Sequence, residues 1–219
     1  MKEAEIIEKT TEFVKKTLAD AEGGHDWFHI ERVLHNAQLI AKGEKVDDFI
    51  VALGALLHDI ADAKFHNGDE TIGPKKATEF LLTLNVDKVI IEHIIKIIEN
   101  ISFKNSLSTD KNSFTSKELE VIQDADRLDA IGAIGIARAF NYGGFKNRAL
   151  YDPDIKPNLN MTKEEYKKSS APTINHFYEK LLLLKEKMNT KTGQRIAAER
   201  HKFMETYLQQ FYDEWNGKK

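Results

Sequence analysis

The sequence predicts an all-α fold. Apolar residues recur at the helical period through most of the chain. No stretch of useful length alternates apolar and polar residues as a half-buried strand would. The interruptions fall where glycine, asparagine, serine or proline gathers.

Residues 2–20 form the first expected helix, with Ile6, Phe13, Val14 and Leu18 on one side and Gly23-Gly24 beyond its end. The next run, HDWFHIERVLHNAQLIAK, keeps Ile30, Val33, Leu34, Ala37, Ile40 and Ala41 in register. Asp26 is placed to cap it, and His29, Arg32 and Asn36 flank the apolar stripe. Asp47 or Asp48 starts a third helix, in which Leu53, Leu56 and Leu57 mark a buried face ending at His58-Asp59. Residues 61–73 are polar and aperiodic, a loop. Pro74 suits the first turn of a helix carrying Ala77, Phe80, Leu81 and Leu84, closed by Asn85. Residues 86–101 are rich in β-branched isoleucine, yet their length and the spacing of Ile90, Ile94, Ile97, Ile98 and Ile101 favour a buried helix. His93 within it reads as a satisfied core histidine. Residues 102–116 form a second loop. Lys117 to Phe140 then reads as one helix, with Gly132 and Gly135 marking a bend or a close approach. Gly143-Gly144 opens a third loop reaching about Ser170. Residues 172–188 and 191–215 are two terminal helices joined at Asn189-Thr190.

Composition narrows the function. With 219 residues, 41% hydrophobic and 31% charged, the chain can bury a sizeable core, most simply as one domain over 1–219. Residues of about 25–142 would form the core, with the terminal helices of about 171–215 packed on it. A net charge of −3, without a lysine/arginine cluster, argues against a nucleic-acid polymer as the main partner. No apolar run approaches the ~20 residues of a membrane span, and the acidic N-terminus carries no secretory signal. The expected compartment is the cytoplasm. The chain has no cysteine, so thiolate nucleophiles and cysteine-ligated metals are excluded. Metal chemistry falls to Asp, Glu and the eight histidines.

The stretch ALGALLHDIAD, Ala52 to Asp62, is the most informative. An apolar helix runs into an adjacent imidazole and carboxylate, and burying even a neutral polar group without a partner costs roughly 2–7 kcal/mol. A shared cation removes that cost. Helical bundles build such sites from side chains on several facing helices. The candidates are His29, His58, Asp59 and one aspartate among Asp124, Asp126 and Asp129. A mixed nitrogen/oxygen set suits Mn²⁺, Fe²⁺, Co²⁺ or Mg²⁺ with coordination positions left open.

H-x-x-R-V at His29, Arg32 and Val33, then His58-Asp59 with Asp62, then A-D-R-L-D from Ala125 to Asp129 resemble the signature of the HD-domain metal-dependent phosphohydrolases. HDWFH, HDIAD and QDADRLDAIGAIGIARAF are similar, more specifically, to the bacterial YpgQ-type nucleotide pyrophosphohydrolases. The resemblance runs from about His25 to the terminal helices. It implies an HD helical bundle with a metal site in its core, ligated by His29, His58, Asp59 and Asp126; it is what selects Asp126 over Asp124. It implies one divalent cation, Mn²⁺ favoured, with Mg²⁺, Co²⁺, Fe²⁺ or Ni²⁺ as alternatives. Asp62 would orient or deprotonate the attacking water. Lys64 leads the cations for the remaining phosphates, followed by Arg32, Arg127, Arg138, Arg148 and the i, i+4 pair His176 and Lys180. The partner would be a small-molecule nucleotide, and a homodimer is compatible with the resemblance. Nucleoside or deoxynucleoside triphosphates would be cleaved to monophosphate and pyrophosphate. The rivals are an HD phosphodiesterase or nucleotidase acting on monophosphates or cyclic nucleotides, a two-iron oxygenase drawing extra ligands from His93, His66 or His25, and a non-catalytic nucleotide-sensing module.

Overall fold

The computed structural model describes residues 1–19, 26–61, 69–101, 114–162, 165 and 169–219. Among these there is no strand, and no helix is long and apolar enough to cross a membrane. The chain divides into two compact units, residues 1–126 and 127–219.

In the first unit, α1 (Glu3–Thr17), α2 (Trp27–Ala41), α3 (Asp48–Leu57), α4 (Ile72–Thr83), α5 (Lys88–Asn100) and the start of α6 (Lys117–Asp129) follow the expected order. Carboxylates start three of them. Asp26 accepts from the His29 amide at 3.0 Å, Asp47 from Phe49 and Ile50 at 2.9 and 3.2 Å, and Asp87 from Val89 at 2.8 Å. Asn85 stops α4 in the left-handed region at φ 54°, where the Val86 amide reaches back to Leu81 O and that of Asn85 to Leu82 O.

The centre of this unit is α3. It packs against α1, α2 and α5, while α4 lies on α5. Every residue from Phe49 to Leu57 is buried, so α3 is enclosed on all sides rather than along the leucine face expected from sequence. Gly54 lets its backbone come close to α6: a Cβ there would lie 2.5 Å from Ile122 Cδ1. Helix α5 buries Ile91, Ile94 and Ile97, whereas Ile90, Ile98 and Ile101 of the expected stripe are half-buried. Phe13 of α1 stacks on Phe80 of α4 with ring centroids 3.9 Å apart.

In the second unit the expected single helix over Lys117–Phe140 is two, because α6 ends at Asp129 and α7 (Gly132–Phe145) begins three residues later. Gly132 makes the corner at φ 75°, a conformation that costs any residue with a Cβ. The carbonyls freed at the end of α6 are taken by cations. Arg200 donates to Leu128 O, and Arg138 donates to Asp129 O while pairing with the Asp129 carboxylate. The loop expected from Gly143-Gly144 starts later. Both glycines lie inside α7, which Asn147 terminates at φ 52°, with the Arg148 amide bonded to Gly143 O at 2.8 Å and that of Asn147 to Gly144 O at 3.0 Å. The first terminal helix is also divided, into α8 (Thr173–Glu179) and a 3₁₀ segment (Leu181–Lys187). Thr190 then caps α9 (Lys191–Trp215) by accepting from the Gly193 amide at 2.9 Å. Helix α7 packs on α8 and α9, and rings from Phe140, Phe177, Tyr207, Phe211 and Trp215 follow one another along the contact.

Candidate metal centre

Three donors from three helices of the first unit converge. One ligating atom each from His29, His58 and Asp126 lies within 4.8 Å of the others. His29 sits one turn into α2, where the Asp26 cap fixes the start of the helix. His58 is the residue on which α3 ends, and Asp126 is in α6. His29 Nε2 is 3.5 Å from Asp126 Oδ1, and the two imidazoles meet edge to face with centroids 5.5 Å apart.

The local bonding suits these groups to share a cation. His58 Nδ1 faces the carbonyl of Ala55 at 2.8 Å. A carbonyl only accepts, so that nitrogen carries the proton and Nε2 keeps its lone pair. Both imidazoles are buried, while the Asp126 side chain is 44% exposed. Two donors on opposite sides of one cation stand about 4.2 Å apart, at roughly 2.1 Å per bond. The 3.5 Å between His29 Nε2 and Asp126 Oδ1 falls inside that span, and all three donors lie within 4.8 Å of one another. Two imidazole nitrogens and one carboxylate, with solvent reaching one side, fit a divalent cation with open positions.

Packing holds the arrangement. Asn36, two turns beyond His29 on α2 and buried, donates to the carbonyl of Ala125 at 3.3 Å, beside Asp126. Gln123 donates to Asn100 O at 3.1 Å, tying α6 to α5. Sequence reasoning noted Asn36 without giving it a role. The usable signal was a polar line at i, i+3 and i+7 from His29 on an otherwise apolar helix.

Of the other expected residues, Asp59 follows His58 directly, is half-buried and is not one of the three converging groups. Asp124 is 0% exposed and also stands outside them. Asp62, Lys64, His66 and His25 lie outside the described residues. His93 contacts Ser116 Oγ at 3.0 Å and Glu118 at 3.5 Å, a structural role at the start of α6. Arg32 is half-buried on α2, one turn from His29.

The remaining candidate cations belong to the second unit. Arg127 donates to Lys187 O at 2.7 Å, and Arg138 is committed to Asp129. Arg148 donates to Ser169 O and lies over the Tyr142 ring, 5.5 Å from its centroid. Burial, then the neighbouring charges of Lys180 and Arg148, pushes the pKa of His176 down to about 4. His176 is therefore neutral near pH 7.

Comparison with known proteins agrees with this geometry. Residues 27–131 match the HD domain family. The chain is 38% identical over 210 residues to YpgQ of Bacillus subtilis (strain 168), spanning 96% of this chain and 94% of that protein. Among solved structures it is similar to an HD-superfamily hydrolase from Bacillus thuringiensis, with TM-score 0.79, 43% identity and coverage of 98% and 99% of the two chains. The structure of Bacillus subtilis YpgQ in complex with ADP matches with TM-score 0.75 and 36% identity, over 98% and 97% of the two chains.

Proposed function

This chain belongs to the HD domain family of metal-dependent phosphohydrolases, and from that premise we propose that it cleaves nucleoside or deoxynucleoside triphosphates to the monophosphate and pyrophosphate. The observation that carries the reading is the convergence of His29, His58 and Asp126 from α2, α3 and α6. The ADP bound to the similar YpgQ supports a nucleotide as ligand.

His29, His58 and Asp126 would hold the cation, Mn²⁺ by preference, with Asp59 available beside His58 as a fourth ligand. A divalent ion bound there supplies positive charge at the phosphoryl oxygens and a more acidic water. The protein's own contribution is positional. The Ala55 carbonyl holds the His58 ring with its lone pair available, and Asn36 fixes the turn of α6 that bears Asp126. Asp62 would accept the proton of the attacking water. Lys64 and Arg32 would neutralise the phosphates, since charge stabilisation dominates phosphoryl transfer.

The test is hydrolysis of a panel of ribo- and deoxyribonucleotides with and without Mn²⁺, with products identified. Pyrophosphate and monophosphate in equal amounts, lost on chelation, are expected. Release of orthophosphate from monophosphates, or of a linear monophosphate from cyclic nucleotides, would assign the chain to the phosphodiesterase or nucleotidase class instead.

A further inference from the structure

The end of α7 leaves two aromatic rings in solvent. Phe145 is 72% and Tyr142 51% exposed, on the turn that Asn147 closes. Burying such a ring is favourable, so a protein that leaves two of them uncovered one turn apart has left a surface suited to binding. Cations frame them. The Lys146 ammonium stands 5.0 Å from the Phe145 centroid and 5.7 Å from that of Tyr142, and the Arg148 guanidinium is 5.5 Å from Tyr142. The basic region continues from Arg148 to Lys180, since both charges act on His176. The acids next in sequence, Asp152 and Glu179, are engaged by the Asp154 and Asn158 amides.

Rings beside lysine and arginine are the means by which proteins bind a flat base attached to phosphate. The net charge of −3 disfavours a polymer, leaving the single nucleotide as the occupant that matches both halves of the patch. We propose that the last turn of α7 is a nucleobase-stacking platform: Tyr142 and Phe145 hold the base, and Arg148 and Lys180 the phosphates, of a nucleoside di- or triphosphate. It takes its ligand class from the functional reading above and rests on it, and every residue it names lies in the second unit.

The experiment compares ADP with inorganic pyrophosphate, two diphosphates that differ by the adenosine, by calorimetric titration of the full chain at fixed Mn²⁺. Wild type should bind ADP more tightly. The double variant Tyr142→Leu/Phe145→Leu should lose about tenfold or more in ADP affinity, with pyrophosphate affinity within about twofold of wild type. Phe145→Trp, which restores a ring, should retain ADP affinity and show quenching of its emission by ADP. An unchanged ADP affinity in the double variant overturns the platform. So does a shift of its sedimentation coefficient without loss of ADP affinity, which would mark the rings as a contact between copies of the chain. If wild type binds pyrophosphate but ADP no more tightly, the platform falls and the hydrolase reading stands; if it binds neither, both fall.

Discussion

Acidification should destabilise this protein through His176 in a defined window. Burial and the cations Lys180 and Arg148 hold its pKa at about 4 in the fold, against 6.5 for a free imidazole. The neutral ring is the form the fold accepts, so between these two values the unfolded chain binds more protons. Stability is therefore independent of this group above pH 6.5 and falls as pH drops from 6.5 toward 4. A displacement of that size is on the order of 3 kcal/mol at about 1.4 kcal/mol per pH unit, most of it expressed by pH 4.5. His176→Gln keeps a neutral polar side chain of similar size and removes the titration. Urea unfolding followed by circular dichroism at pH 7.5 and 4.5 isolates the effect, because other acid-sensitive groups are common to both proteins. The wild type should lose about 2–3 kcal/mol more than the variant. Equal losses would show that His176 is not held neutral by its surroundings, and the reasoning would fail.

Two further outcomes follow from the geometry. At a Mn²⁺ concentration about 100 times its dissociation constant, the wild type should gain about 2.7 kcal/mol of stability over the chelated protein. His58→Ala and Asp126→Asn should each lose that gain in a thermal scan, and a variant still stabilised to the same extent would remove its residue from the ligand set. Arg138→Ala should cost on the order of 1–2 kcal/mol, because Asp129 is 1% exposed and loses one ion pair while the Arg200 charge still acts on it, with a discount for the partial exposure of Arg138. Unfolding midpoints measure that cost, while the Michaelis constant should stay at the wild-type value; a raised constant at unchanged stability would return Arg138 to the substrate.

Much of the fold was legible because helix ends carry local chemistry. Asp26, Asp47, Asn85 and Thr190 each mark a boundary by a bond that the residue type requires. The division of α6 from α7 was less visible, since the apolar period from Val121 to Ile134 runs through it and only Gly132 signals the corner. Gly143-Gly144 misled for the opposite reason: the residue that ends α7 is Asn147. In the site, polar groups within apolar stripes pointed to His29 and His58. Asp124 and Asp126 stand about 200° apart around one helix, so a sequence pattern alone could not choose between them. Convergence with the two histidines favours Asp126. The patch at Tyr142 and Phe145 had no sequence signal, because aromatic residues at helical spacing are the usual mark of a core.

Gly54 and Ile122 each stand four residues ahead of a group at the centre, His58 and Asp126. One helical turn thus separates the seat of the Ile122 side chain on the Gly54 backbone from the place where the donors of the two helices meet. The side chain missing at position 54 gives the Ile122 methyl its seat, so a methyl added there would press first on that side chain, one turn away from the donors.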